Sequence, residues 1–482
     1  MTARRASLLG TLLVSATLVA LISFRSGIGM HDEGLMLQWG SRIGDGQWPY
    51  RDFWSNYLPG QALLQSLLGD SLVTWRVVRA LTGAVAALCV YLLVERTGGA
   101  RGWAMAAWFA AALALAWPLT PGPNASAVAL ALGALLAVPN RPALGGLLAA
   151  AALVFRPELG LAALAGVLLL LDSGHARRSA LAAWAIATAL CLAPFWIAAP
   201  NEMLDQVVGF IGIQDMQRLP LVFDPGTTDP NKVLERLFAA ALLGCALGWM
   251  LFVLARRRSA ELLPLVVVSA LYLAARSDEF HLVPLSVLLV AAAATTGARD
   301  STRAVRFAMA AIIGLATLHG LDRIAGHFKD ARSTEAIGLS TSGGVRTDPS
   351  QARALRALAR VVDDRTRPGD PVLVLPPRTD RVSVGAPLLY TLLDRSNPTR
   401  YDVMQPGVVT TAKVQREIVA DMARVKPALV IRWRGARAER LEDNASGRTS
   451  GSHILDDAVA RQYERLVRVG EFEVLTRDTI DP

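Results

Sequence analysis

Eleven apolar runs separated by polar gaps constrain this chain more than any other feature: residues 6–24, 72–94, 102–118, 124–138, 142–155, 159–171, 180–198, 233–254, 261–275, 281–297 and 305–321. A helix needs about 20 apolar residues to cross a bilayer, fewer where it is re-entrant or enclosed by protein. Lipid must therefore supply part of this chain's solvent. The pair 142–155 and 159–171 is short, and reads either as two spans or as half-helices meeting within the membrane. The totals agree: 53% hydrophobic and 18% charged residues over 482 positions are too apolar for an ordinary soluble enzyme.

The formal charge of +9 does not indicate nucleic acid, which would require arginines gathered on one soluble face among aromatics. Here arginines cluster at every second gap: Arg4 and Arg5, Arg96 and Arg101, Arg141, Arg177 and Arg178, Arg256 to Arg258, then Arg299, Arg303 and Arg306. That is the positive-inside pattern of cytoplasmic loops. It puts the N-terminus in the cytoplasm of a multi-pass protein of the cytoplasmic membrane, and the C-terminus outside. The first run has a basic start but no clear small-residue cleavage site, so it reads as a retained helix. Cys89, Cys191 and Cys245 lie inside apolar runs without paired spacing, as small core residues do.

Two outward gaps are long, 25–70 and 200–232, the second containing QDMQRLPLVFDPGTTDP. Loops beyond about 15 residues are usually there for a function, so chemistry is expected on the outer face. After about Leu321 the composition becomes that of a soluble domain. PVLVLP, ALVIRW and EFEVLT read as strands, with helical spacing in ARALRALARVVDD, APLLYTLLD and AKVQREIVADMARV. The expected architecture is an α-helical polytopic membrane protein, residues 1–324, a linker over 325–350, and a small extracytoplasmic α/β domain over 351–482. No internal repeat is visible, and no Gly-rich phosphate loop or GxSxG elbow occurs in the soluble part.

Immediately after the first helix the chain reads GIGMHDEGLMLQWGSRIGDGQWPYRDFWSNYLPGQALLQ. Leu35, Met36, Trp39 and Ile43 are spaced to give one apolar face on a helix lying along the membrane surface, with Asp32 and Glu33 at its favourable N-terminal end. A transmembrane helix, Asp-Glu, an amphipathic segment, WPYRDF and Pro-Gly before the next helix resembles the first outer loop of GT-C glycosyltransferases. It is most similar to the bacterial relatives of protein O-mannosyltransferases and lipid A aminoarabinose transferases. The motif covers this loop only, while the topology covers the whole apolar part.

The resemblance implies an inverting hexosyl- or pentosyltransferase that moves a sugar from a polyprenyl-phosphate donor to a cell-envelope glycan, lipid or protein at the outer membrane face. It implies Asp32 as catalytic base with Glu33 beside it. Asp52 is a second candidate, for acceptor contacts or, with Asp32, for Mg²⁺ or Mn²⁺, which suit hard oxygen ligands; the alternative is a surface pair with Arg51 or Arg42. Relatives are similar in carrying an arginine where Arg76 and Arg79 stand, so Arg79 reads as a ligand of the donor phosphate or as a snorkelling cation. Arg156 and Glu158 interrupt an apolar stretch in FRPELG. Ionisable groups at such depth are functional candidates, Arg156 for the phosphate and Glu158 for the pocket, or else a plain ion pair. ARSDEFHLVPL places Arg276, Asp278, Glu279 and His281 between two spans, in an R-x-D-x-x-H-x-x-P string similar to bacterial members of the superfamily, which implies Asp278 and His281 as pocket residues. His31 either tunes Asp32 or faces water. Many relatives have an acidic motif in the second outer loop, whereas WPLTPGPNASA offers only Asn124. A transporter or flippase should show paired repeats; a non-catalytic envelope scaffold is the other alternative.

Overall fold

The computed structural model describes residues 3–22, 24–118, 120, 122–212, 216, 218–219, 230–256, 260–439 and 447–477. Among the described residues fifteen α-helices form the first part: α1 Ala3–Leu21, α2 Asp32–Gly44, α3 Gly60–Ser66, α4 Leu72–Glu95, α5 Arg101–Leu115, α6 Asn124–Ala137, α7 Pro142–Phe155, α8 Pro157–Leu169, α9 Gly174–Ala198, α10 Pro200–Met203, α11 Phe210–Gly212, α12 Pro230–Arg256, α13 Leu263–Ala275, α14 Glu279–Arg299 and α15 Arg303–Arg332. Each of the eleven apolar runs is one helix. Among the described residues six are long and apolar enough to cross a membrane, and five apolar helices are shorter. The protein is a multi-pass membrane protein.

Hydrophobicity does not drive these helices together in lipid, so small side chains must let backbones approach. The shared core of α4, α5, α6, α8 and α14 is accordingly alanine-rich, including Ala86, Ala107, Ala131, Ala163 and Ala291 to Ala294. At the crossing of α7 and α9, a Cβ added to Gly146 would lie 2.0 Å from the carbonyl oxygen of Ala180. The long apolar face of α9 is left exposed, with Ile186, Leu190 and Ile197 on it, as a lipid-facing helix requires.

Proline shapes the α7–α8 junction. Pro157 disfavours helical backbone at the residue before it, and Arg156 is extended at φ −145°, ψ 104°. The helix stops at Phe155 and restarts at Pro157. This break places Arg156 and Glu158 at the face of the bundle where α1 and α13 end and where α4, α6 and α14 begin.

The second part holds α16 Pro349–Asp363, α17 Leu388–Leu393, α18 Ala412–Val425, α19 Ala436–Glu439 and α20 Ile454–Gln462, with strands β1 Glu335–Ala336, β2 Arg346–Thr347, β3 Val372–Leu375, β4 Leu429–Trp433, β5 Tyr463–Val469 and β6 Phe472–Arg477. The main sheet has the order β3-β4-β6-β5, parallel only between β3 and β4. The three expected strands are β3, β4 and β6. The sequence did not reveal β5, an edge strand whose Glu464, Arg465 and Arg468 break the apolar signal; charge on an edge blocks unwanted pairing. The stretch expected as a linker contains the end of α15, β1 and β2, and Arg346 also hydrogen-bonds to the backbone of Arg25 and Gly27 after α1.

The reading of α2 as a helix lying on the membrane surface is corrected by its packing. Leu35, Met36 and Trp39 are buried among Leu373, Leu375, Val403 and Val409, and Leu37 among Leu388 and Leu389 of the C-terminal domain. The apolar face meets protein rather than lipid. Gly34 makes this approach: a Cβ there would lie 2.0 Å from the Leu388 nitrogen. Arg42 completes the dock through a buried ion pair with Asp402 at 2.7 Å and a bond to the Thr399 carbonyl, and Gln38 donates to Thr391 at 3.0 Å.

Candidate active site

Arg156 is the centre of the cluster at this face. Its Nε donates to Glu158 Oε1 at 2.7 Å. Its guanidinium lies over the Tyr272 ring, 4.4 Å from the centroid, and 5.7 Å from that of Tyr57. Stacking of this kind is favourable for a desolvated guanidinium. Tyr57, in the loop before α3, interacts electrostatically with Arg156, Asp32, Glu158 and Asp278, which places residues from three separate stretches around one phenol. Burial raises the Tyr57 pKa against the opposing effect of Arg156, so the hydroxyl keeps its proton.

The α13–α14 turn supplies the next wall. Asp278 caps α14 by accepting from the His281 nitrogen at 3.1 Å, meets His281 Nδ1 at 2.5 Å, and accepts from Arg276 Nε at 2.7 Å. Burial alone would raise its pKa, but His281 and Arg276 outweigh that and hold it at about 2. The carboxylate is ionised throughout the physiological range. The His281 ring in turn packs on Tyr272, with centroids 3.9 Å apart. The side chain of Glu279 lies outside the described residues.

Asp32 and Glu33 are adjacent in sequence and opposite in circumstance. Glu33 is 1% exposed; its two oxygens accept from Arg76 at 2.7 and 2.8 Å, and from the Gly29 nitrogen at 3.0 Å. Arg76 also donates to the carbonyls of Phe24 and Gly27, so the pair fastens α4 to the α1–α2 turn. Asp32 is exposed and has no hydrogen-bond or ion-pair partner among the described residues. Next to it, His31 is half-buried, and burial lowers its pKa, Arg276 acting the same way and Asp32 opposing. Gln405 and the Gly385 backbone of the C-terminal domain also face this imidazole. The domain therefore forms part of the site.

Arg79 stands elsewhere. One turn deeper along α4 than Arg76, it fronts a small recess with Gln61, Trp75, Thr82, Gly122 and Ser126. It is 7% exposed, its one hydrogen bond is to the Leu115 carbonyl at 3.3 Å, and no carboxylate pairs with it among the described residues. Four of the five N–H donors of a guanidinium are left for a ligand. A second, closely packed recess lies on the other side of the first turn of α6, lined by Asn124, Glu158, Ser269 and Tyr272. The α6 N-terminus between them has no side-chain cap, because Pro123 precedes it.

Asp52 is not brought to this cluster. Arg51 binds both of its oxygens at 2.9 and 2.7 Å, and Trp48 N donates to it at 2.8 Å; the Arg51 hydrogen bonds, ahead of that backbone bond, hold its pKa below the usual carboxylate value. Arg51 and Trp48 N already engage both oxygens of Asp52, so the donor set does not fit a divalent cation shared by Asp32 and Asp52. Asp380, His453 and Asp456 converge in the C-terminal domain, but Arg378 and Arg432 already neutralise the two carboxylates. The long gap 200–232 is described only in part: Gln206 joins Ser55 N and the Tyr50 carbonyl, and Leu219 bridges to Arg276, while most of QDMQRLPLVFDPGTTDP lies outside the described residues.

Tyr57, Tyr272 and Gln405 were invisible in the sequence, because an isolated tyrosine or glutamine carries no spacing signal. No protein-family model and no curated protein sequence matches the chain. Among solved structures, the crystal structure of ArnT from Cupriavidus metallidurans in the apo state superposes with a TM-score of 0.58 at 13% identity, covering 98% of each chain. The fold is ArnT-like. The match spans both parts, so the ArnT-like architecture includes the docked C-terminal domain as well as the bundle. This agrees with the GT-C-like fold expected from the first loop.

Proposed function

We propose that this protein transfers a sugar from a polyprenyl-phosphate donor to a hydroxyl of a cell-envelope acceptor at the outer face of the cytoplasmic membrane, with its C-terminal domain on that face. The observation that carries the reading is Arg79, a buried guanidinium with no carboxylate partner among the described residues, fronting a recess beside the uncapped N-terminus of α6. A desolvated cation requires an anion, and helix N-termini favour phosphate. A phosphate anchored to a lipid lies at this depth.

In this mechanism Asp32 takes the proton from the acceptor hydroxyl, whose oxygen bonds to the anomeric carbon as the bond to the phosphate oxygen breaks. Displacement from the opposite side inverts the anomeric centre. Arg79 and Arg156 stabilise the charge on the departing polyprenyl phosphate, the kind of fixed electrostatic stabilisation that counts most in a dry site. Glu158 keeps Arg156 in place, and the Asp278–His281 pair holds the Tyr272 wall. No step is routed through a metal ion.

The test is binding of decaprenyl phosphate and of neutral decaprenol to the full chain in nanodiscs. The phosphate is expected to bind more tightly by a factor that falls in Arg79→Gln and Arg156→Gln but survives Asp32→Asn. Equal affinity for the phosphate and the alcohol would sink the reading.

A further inference from the structure

The gap that follows α9 begins with a helix of three faces. Pro200 disfavours helical backbone at the residue before it, and Ala199 leaves the helical region at φ −158°, ψ 69°. The chain turns there and continues through α10, a wider π-helical turn over Leu204–Gly209, and α11. One face meets protein: Met203 and Gln206 are buried, Val207 and Phe210 are half-buried, and the Phe210 ring lies 5.9 Å from that of Trp54. A second face is polar and open, with Asn201, Glu202 and Asp205 exposed. The third is apolar and equally open, since Leu204, Val208 and Ile211 are 46%, 55% and 62% exposed.

Residues spaced four and three apart share one side of a helix. Water is an unfavourable neighbour for such a strip, and a helix divided between a polar and an uncovered apolar face suits the boundary of a bilayer. The exposed surface of α9, with Trp196 and Ile197 in its last turn, leads directly into the strip, and tryptophan is common at that level of a membrane protein. The lipid contact of α9 therefore continues along Leu204, Val208 and Ile211. This helix takes the place on the membrane surface that the sequence suggested for α2.

The protein face reaches the site. Gln206, 4% exposed, accepts from Ser55 N at 2.9 Å and donates to the Tyr50 carbonyl at 3.1 Å. Tyr50 Oη and Ser55 Oγ both donate to the Tyr57 carbonyl, at 2.8 and 3.1 Å, and Tyr57 presents its ring to Arg156. Tyr50 has φ 71°, a left-handed backbone that a bulky residue keeps only where its surroundings impose it. Gln206 and Arg400 impose it together, both donating to the Tyr50 carbonyl.

We propose that Pro200–Gly212 is a lipid-binding helix seated in the leaflet on the side of the C-terminal domain, with Leu204, Val208 and Ile211 among acyl chains, and that Gln206 is a positioning residue that fixes the Tyr50–Tyr57 loop against Arg156. The positioning role rests on the donor reading above; the lipid contact does not.

The lipid contact is tested with spin labels on single cysteines in the full chain, carrying Cys89→Ala, Cys191→Ala and Cys245→Ala, in phosphatidylcholine nanodiscs. Labels at Leu204→Cys, Val208→Cys and Ile211→Cys should relax faster with oxygen, which concentrates in lipid, and labels at Glu202→Cys and Asp205→Cys with a water-soluble nickel chelate. The same preference at all five positions, for nickel or for oxygen, would overturn the interfacial seat. The positioning role is tested by titrating decaprenyl phosphate into nanodiscs. Gln206→Met, which keeps the volume and loses both bonds, should weaken binding about three- to tenfold. It should cost nothing further in a Tyr57→Ala background, because the effect passes through Tyr57. Losses that add in the double variant, or no loss in Gln206→Met, would overturn the positioning role. If the wild type did not bind decaprenyl phosphate, the donor reading would fall and the positioning role with it, while the spin labels would still decide the lipid contact.

Discussion

Glu33→Gln separates a structural carboxylate from a catalytic one. Glu33 and Arg76 are 2% and 5% exposed at the side chain and 2.7 Å apart. Breaking one side of a buried pair costs about 3–5 kcal/mol, because the remaining charge stays desolvated. Glutamine can still accept one bond from Arg76, and the Phe24 and Gly27 carbonyls keep two more, so the lower end, about 3 kcal/mol, is expected. That is a large share of the roughly 5–15 kcal/mol by which folded proteins exceed their unfolded states. The variant should unfold several degrees earlier in detergent, measured by fluorescence of a chain with 11 tryptophans, one of them Trp75 beside Arg76. Glu33→Gln with Arg76→Met, which removes both charges, should recover most of the loss. A Glu33→Gln protein that melts like the parent and yet has no transfer activity would refute this reasoning, and would make Glu33 a participant in the chemistry.

Asp32→Asn should fold and extract like the parent, since Asp32 is exposed and unpaired, while transfer measured from envelope glycans of a complemented deletion strain falls by about 10² to 10⁴; Asp45→Asn, in the same loop, is the neutral control. Arg42→Ala should strand Asp402 in the dock and cost about 3–5 kcal/mol, seen as early proteolysis of the C-terminal domain, whereas Asp52→Asn should change melting little because its pair is exposed. Asp278 has a pKa of about 2 against an ordinary 3.8, so it contributes about 2 kcal/mol of stability that is complete above the ordinary value and lost as pH falls through 4 towards 2; Asp278→Asn should flatten that acid limb of the melting profile. A phosphatase reporter fused after Pro482 should be active and a cytoplasmic reporter inactive, and the reverse would overturn the orientation.

The eleven apolar helices could be read from the sequence, most with bounds within a few residues, because a lipid solvent leaves each span little choice but helix, with all backbone groups bonded internally; α15 runs on to Arg332 and α9 starts at Gly174, in polar residues beyond their apolar runs. The break at Arg156 was equally local, since proline acts on the residue before it. Three strands of the C-terminal sheet were legible as apolar runs, and β5 was not, since an edge strand is free to carry charge. The position of α2 was beyond the sequence. An amphipathic helix reads the same whether its apolar face meets lipid or protein, and only the tertiary structure, through Gly34 against Leu388 and Arg42 against Asp402, decided for protein. The two acids at positions 32 and 33 were likewise indistinguishable as residues. Their difference lies in Arg76, 43 positions from Glu33 in the chain, which claims one carboxylate and leaves the other to solvent. Arg156, Tyr57, Asp278 and Asp32 come from four segments whose convergence follows from helix packing, and no local pattern encodes a contact made across the bundle.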